Sequence, residues 1–324
     1  MTLRIGIAGT GWFAKMHADL LETKEDVQVA GFSGTTLAKA EAAARPYRHA
    51  TGYSSLTAML DGCKPDAVYI CVPPFAHGEL ESELVARRIP FLVEKPLGTG
   101  AEEPRRIEAA VREAGLLTSV GYHFRYMDAA SRARDLLKER TPGMALGYWN
   151  GGMPGVGWWR RQEGSGGQFV EQTTHIVDLL RYLLGEVTEV YAAYAQAAMH
   201  QLHEGVTVPD VGTVTMKLAS GLVATVSNTC MLPIDHMTGL HIYTSSGVME
   251  LSHHSLRDLE AGRTTEYRNL SNPYERETEA FLHAVRTGDR SMILSDYSDA
   301  LLTQEVTAAA NESARTGQPV ALHL

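Results

Sequence analysis

Three short stretches of this chain carry residue types that can do redox or acid–base chemistry. The first, Gly9-Thr10-Gly11-Trp12-Phe13-Ala14, follows the apolar run Leu3–Ala8 and opens the amphipathic pattern Trp12–Leu21. Gly9 permits a tight turn, Gly11 lets the backbone approach a pyrophosphate, and Ala14 is small enough for helix-on-strand packing. The phosphates then rest on the helix N-terminus, whose N–H groups and dipole favour negative charge. The second stretch, Val93-Glu94-Lys95-Pro96-Leu97, ends an apolar strand. Ligands of an open parallel sheet bind at the carboxyl ends of its strands, which directs Lys95 toward the nicotinamide end of such a cleft. The proline after Lys95 keeps the lysine backbone extended. By spacing alone, a surface lysine beside Glu94 reads equally well. The third stretch holds Glu171 and His175, four residues apart in the pattern Val170–Leu184. At about 100° per residue, Glu171, His175, Asp178 and Tyr182 share one stripe, and Ile176, Leu179, Leu180, Leu183 and Leu184 form an apolar face. A carboxylate one turn from an imidazole orients it and favours its protonated form. The plainer alternative is a satisfied polar rim on a core helix.

The elements that must position these groups fall into two textures. From Leu3 to about Tyr122, apolar strands (Leu3–Ala8, Val27–Phe32, Ala67–Val72, Pro90–Val93, Leu117–Val120) alternate with helical patterns (Trp12–Leu21, Ser55–Leu60, His77–Ala86, Glu102–Ala114). This alternation predicts an α/β Rossmann domain: a doubly wound parallel sheet with right-handed crossovers. Beyond His123 come a helix (Ala129–Lys138), a strand (Ala145–Gly151), a glycine-rich loop and the helix Val170–Leu184. Strand-like segments then follow in hairpin order: Val187–Ala195, Val211–Leu218, Leu222–Thr229, Leu240–Thr244 and Val248–Leu251. Helices at Tyr274–Thr287 and Tyr297–Arg315 close the chain. This half predicts an α+β domain on a large, mostly antiparallel open sheet. The expected division is residues 1–122 for the dinucleotide and 123–324 for substrate binding and oligomerisation, with a terminal helix free to pack back on the first domain.

With 324 residues the chain has room for two filled cores. The opening residues lack a signal-peptide layout, and no run reaches the roughly 20 apolar residues that span a membrane. Cys63, Cys71 and Cys230 are widely spaced, which argues against a disulfide framework and for a reducing cytoplasm. A formal charge of −9 argues against a nucleic-acid surface. No histidine or acid cluster has convincing metal-ligand spacing; His200 with His203 and His253-His254 are the nearest approaches, so no metal is expected. A small-molecule substrate is the expected partner, because a pocket can be locally basic on an acidic protein.

The end of the second strand bears on the choice of cofactor. NAD-specific sites usually place an acid there for the ribose hydroxyls. This chain has Phe32-Ser33-Gly34-Thr35-Thr36 with Lys39 nearby. A 2′-phosphate meets no repulsion, so NADP(H) is the expected preference, with NAD(H) as the other cofactor. Capping of the next helix by Ser33 and Thr35 is the plainer role.

With these motifs in place, the chain resembles the glucose–fructose oxidoreductase, inositol dehydrogenase and MocA family over nearly its whole length. The resemblance rests on the glycine turn, Val72-Pro73-Pro74-Phe75-Ala76-His77, Glu94-Lys95-Pro96, the run Gly166–Asp178 with its acid-x-x-x-His, and Ser313-Ala314-Arg315-Thr316-Gly317. It implies NAD(P)-dependent redox chemistry on sugars, polyols or related carbonyl compounds, with Lys95 and His175 at the reaction centre. Glu171 stands where the family commonly has Asp, and would orient His175 or bind a substrate hydroxyl. Thr10, Trp12, Phe13, Val72, Pro73, Pro74, His77 and Glu94 are then expected around the cofactor, and His123 and Arg125 near the nicotinamide and substrate. Trp158, Trp159 and Arg160 offer ring stacking and hydroxyl or carboxylate recognition; a tryptophan pair packed at the domain junction is the alternative. His236 is a weaker candidate. The family also contains glycosidases that use NAD transiently and non-catalytic dinucleotide sensors, and both remain as alternatives to an oxidoreductase.

Overall fold

An uninterrupted apolar strand such as Leu-Arg-Ile-Gly-Ile-Ala is stable only when both of its faces are covered, and the first sheet meets that condition. The computed structural model of the chain describes residues 2–323. Strands β1 (Leu3–Ala8), β2 (Val27–Ser33), β3 (Thr51–Tyr53), β4 (Ala67–Ile70), β5 (Phe91–Val93) and β6 (Thr118–Val120) form one sheet ordered β3-β2-β1-β4-β5-β6. Every pairing in it is parallel. Strand order reverses between β1 and β4, which creates the switch point at which such sheets bind ligands. Ile5, Ile7, Val29, Phe32, Tyr69 and Leu92 form the core, joined by Ala14, Ala18 and Leu21 of the first helix, Trp12–Glu22. The reading along the chain passes over β3 and the helix Leu37–Ala44 behind it, because Thr51-Gly52-Tyr53 is too short and mixed to show a period.

The second sheet holds β7 (Pro142–Asn150), β8 (Val187–Ala195), β9 (Val211–Leu218), β10 (Val223–Thr229), β11 (Met237–Thr244), β12 (Gly247–Ser252), β13 (Ser255–Glu260), β14 (Arg263–Arg268) and β15 (Val320–Ala321). Its order is β14-β13-β12-β11-β7-β10-β9-β8-β15, antiparallel throughout except for the pair β10–β7. β9 shows the alternation of a sheet covered on one side: Val214, Met216 and Leu218 are buried while Thr213, Thr215 and Lys217 are exposed. The covered face packs on helices Asp128–Leu137, Thr174–Leu184 and the later part of Tyr297–Thr316. The polar hairpin β13–β14 and the two-residue β15 carry too little apolar pattern to be visible in the sequence.

The chain forms two compact units. One comprises Met1–Leu97, Glu102–Gly121 and Tyr274–Ala300; the other comprises Gly98–Ala101, Tyr122–Pro273 and Leu301–Leu324. The change at Gly121/Tyr122 lies where the pattern of the sequence changes. The chain then returns to the first unit at Tyr274, and Phe281, Leu282 and Ala284 of helix Pro273–Thr287 enter that unit's core.

One expected element is broken. In place of a single helix Val170–Leu184 there is a turn, Gln168–Glu171, followed by helix Thr174–Leu184. The Gln168 carbonyl accepts from both Gln172 N–H (3.0 Å) and Thr173 N–H (2.9 Å), so the hydrogen-bond ladder slips by one residue. Glu171 and His175 therefore do not share the continuous stripe that their spacing suggests.

Candidate active site

In the first unit, Gly9 adopts φ +129°, and its N–H donates to the Ser33 carbonyl at 2.9 Å. A Cβ at Gly9 would lie 2.1 Å from the Cys71 carbonyl oxygen, so β1 and β4 approach closely there only through glycine. Gly11 differs: it has ordinary extended backbone, and a Cβ placed on it meets no protein atom within 4 Å. It N-caps Trp12–Glu22 without a side-chain hydrogen bond, and the first turn carries no acid. No side chain caps the first-turn N–H groups and the space beside Gly11 is open, an arrangement compatible with a pyrophosphate. Thr10 and Phe13 are half-buried, whereas Trp12 is 69% exposed and meets Phe13 edge-on.

At the end of β2, Ser33 is buried. The cap of helix Leu37–Ala44 is Thr36, whose hydroxyl accepts from Lys39 N–H, so the capping role falls neither to Ser33 nor to Thr35. Thr35 is left exposed, and its hydroxyl accepts from Lys39 Nζ at 3.4 Å. Among the described residues Lys39 has no carboxylate partner, and Gly34 lies within this open corner.

After β4, Val72 and Pro73 are half-buried and Pro74 is buried at the start of a short 3₁₀ turn. His77 is held rather than free: its Nδ1 lies 2.6 Å from Glu81, whose other oxygen accepts the Gly78 N–H at 2.6 Å. Glu94 is likewise held, with Oε1 2.7 Å from Nε2 of the fully buried His17. Lys95 follows, nearly buried, across a cis bond to Pro96. His17 is absent from the sequence reading, although a signal existed. It shares the inward face of its helix with Ala14, Ala18 and Leu21, and a histidine on such a face calls for a buried partner.

In the second unit, His175 is 4% exposed and sits in the first turn of Thr174–Leu184. Its ring stacks near Phe124 (5.0 Å between centroids) and Trp149 (5.8 Å), and His123 meets it edge-on at 4.9 Å. His123 is an expected residue of this site, whereas Phe124 and Trp149 are ordinary core types until the fold brings them here. Arg125, expected to meet substrate, instead forks on Asp178 (Nε–Oδ2 2.8 Å, Nη2–Oδ1 2.7 Å). Thr303 also donates to Asp178, and Tyr122 bonds Thr174 at 3.0 Å. Burial pushes the Tyr122 phenol well above its ordinary range, so it stays neutral.

Trp159 is 1% exposed, and its indole N–H donates to Glu171 at 2.7 Å. It anchors a small cluster with Met199, Val206, Val208 and Cys230, and Trp158 packs against that cluster, half-buried. Trp159 is therefore a core and positioning residue, not a stacking surface, and Glu171 is tied to it. Arg160 is half-buried beside this pair. His236 lies exposed in the loop before β11.

Comparison with known proteins agrees with this arrangement. Residues 3–122 match an oxidoreductase family with an NAD-binding Rossmann fold, and residues 143–250 match the Gfo/Idh/MocA C-terminal domain. The chain belongs to the Gfo/Idh/MocA family. An inositol 2-dehydrogenase of Rhizobium meliloti is 24% identical over 302 residues, covering 89% of this chain and 90% of that protein. A D-glucoside 3-dehydrogenase of Escherichia coli is 24% identical over 99% of this chain and 97% of its own length. The fold matches the WlbA dehydrogenase of Bordetella pertussis, solved with NADH and UDP-GlcNAcA, with a TM-score of 0.86 at 21% identity and full coverage of both chains.

As a Gfo/Idh/MocA oxidoreductase, the chain binds a nicotinamide dinucleotide. Its first unit gathers the glycine turn, the Ser33–Lys39 corner, and Glu94 with Lys95. Its second gathers His123 and His175 under aromatic cover and sets Glu171 on Trp159.

Proposed function

We propose that the protein is a dehydrogenase or reductase of sugars, polyols or related hydroxy compounds, with a preference for NADP(H). The observation that carries the reading is the start of helix Trp12–Glu22, where uncapped N–H groups and the open space at Gly11 fit a pyrophosphate. The exposed Thr35 hydroxyl and the Lys39 ammonium, without an acid beside them, fit a 2′-phosphate. When bound, the cofactor supplies or accepts the hydride. His175 takes the hydroxyl proton in the oxidising direction and returns it in the other. Its aromatic surroundings exclude water and limit its rotation. Lys95 stabilises negative charge on the substrate oxygen, on a backbone steadied by the Glu94–His17 bond. Glu171, held by Trp159 through one oxygen, orients His175 or binds a substrate hydroxyl.

A screen of inositols, aldoses and keto-sugars, followed by the absorbance of reduced nicotinamide, tests this reading. Lys95→Met and His175→Ala are each expected to lower kcat by about 10²-fold or more on any substrate found. Ser33→Asp is expected to move preference toward NADH. Near-normal turnover in both catalytic variants contradicts the assigned roles, and an unmoved cofactor preference contradicts the NADP(H) reading.

We further propose a homodimer or homotetramer built on the uncovered face of the second sheet, to be checked by sedimentation. No helix among the described residues is long and apolar enough to cross a membrane. Three free cysteines, two of them buried, fit a cytoplasmic location.

A further inference from the structure

Four of the chain's arginines are not solvent-exposed: Arg125, Arg140, Arg160 and Arg181. Three of them grip carboxylates. Arg125 forks on Asp178; Arg140 forks on Asp258 (2.5 and 2.9 Å) and reaches Glu260; Arg181 forks on Glu186 (2.7 and 2.9 Å). Arg160 is the exception. Among the described residues its side chain makes no hydrogen bond and no ion pair, although its Nε is shut off from solvent. Arg160 is half-buried, and its Nε alone is closed to solvent without a partner, a cost that the other three arginines avoid.

The surrounding structure fixes the Arg160 backbone and leaves its charge unpaired among the described residues. Its carbonyl accepts the N–H groups of Thr207 (2.9 Å) and Val208 (3.3 Å), and it follows the buried Trp159 that bonds Glu171. The nearby acids are committed or remote: Asp210 accepts three backbone N–H groups from Ala197, Ala198 and Met199, and Glu163 lies exposed. A planar fork of this kind matches a carboxylate or a phosphate with two parallel bonds. Trp158, two residues earlier, is half-buried and packs on the Trp159 cluster, an amphipathic ring of the kind that meets the apolar face of a sugar.

We infer that Arg160 is an anion-recognition residue, and that the substrate is an acidic sugar carrying a carboxylate or phosphate, not a neutral polyol. The inference rests on reading the second unit as the substrate-binding part of a dinucleotide-dependent oxidoreductase.

The test is calorimetric titration of the dinucleotide-loaded protein with D-glucuronate, D-glucose 6-phosphate and D-glucose, repeated on Arg160→Met and Arg160→Lys. The native chain is expected to bind at least one anionic sugar roughly 10- to 100-fold more tightly than glucose. Whichever anion is preferred identifies carboxylate or phosphate. Arg160→Met brings that ratio toward one, and Arg160→Lys keeps part of it. Because no bond is lost, Arg160→Met is expected to melt no lower than the native chain, which separates lost recognition from lost folding. A preference that survives Arg160→Met overturns the inference, as does binding of all three sugars alike or of none. Weakened dinucleotide binding in Arg160→Met also overturns it, because Arg160 would then serve the cofactor. Failure of the native chain to bind any dinucleotide strikes the oxidoreductase reading itself, before a sugar is added.

Discussion

Gly9 and Gly11 are two residues apart and are glycine for opposite reasons. At Gly9 the protein fills the space: a Cβ would strike the Cys71 carbonyl, and φ is positive. Gly9→Ala is therefore expected to cost about 2 kcal/mol or more of stability, measured by urea unfolding. At Gly11 nothing of the protein is near, and under the proposed function that space is left for the pyrophosphate. The sequence motif shows both glycines but cannot separate the two reasons, because the neighbour of Gly9 lies on another strand. Asp210 makes a similar point. Burial would raise its carboxyl, yet the N–H groups of Ala197, Met199 and Ala198 hold it below the usual carboxylate range. A carboxyl depressed by folding contributes fully above its unfolded value of about 3.9 and loses that contribution as the pH falls through the folded one. Asp210→Asn is expected to lower Tm near neutral pH, and the gap should narrow as the pH drops below about 4. A gap unchanged at acid pH would contradict this account of the loop.

At the scale of elements, helix Thr174–Leu184 is held through its own Asp178 and Arg181, which bond Arg125 and Thr303. Asp178→Ala leaves the Arg125 charge buried without its carboxylate and is expected to cost about 3–5 kcal/mol, against much less for an exposed acid such as Glu163. Equal costs in denaturant unfolding would deny the pair this role. The apolar face of this helix was legible from its spacing, as were most strands, because burial enforces period. The slip at Gln172 and Thr173 was not, since it depends on where two N–H groups find one carbonyl. Spacing left Trp159 equally a sugar platform or a packing residue, and its burial with Met199 and Val208 makes it part of a core.

At the scale of the molecule, the change of texture near Tyr122 marks the passage from one unit to the other. The return at Tyr274 leaves no such mark, because an amphipathic helix looks the same whichever sheet it covers. The glycine turn was visible from residue type and spacing, whereas spacing left Lys95 and His175 open and the family resemblance singled them out. The groups that hold them, His17, Phe124 and Trp149, come from elsewhere in the chain.

The proposed chemistry requires that the first unit hold a nicotinamide dinucleotide at the start of helix Trp12–Glu22. The direct measurement is a fluorescence titration of the native chain and of Gly11→Val with NADPH and with NADH. A Cβ at Gly11 meets no protein atom, so the variant is expected to keep its Tm while losing about 100-fold or more in affinity. Tight binding of either dinucleotide by the native chain, lost in a folded Gly11→Val, is the predicted result. Binding of neither, or equal binding by the variant, would contradict the account.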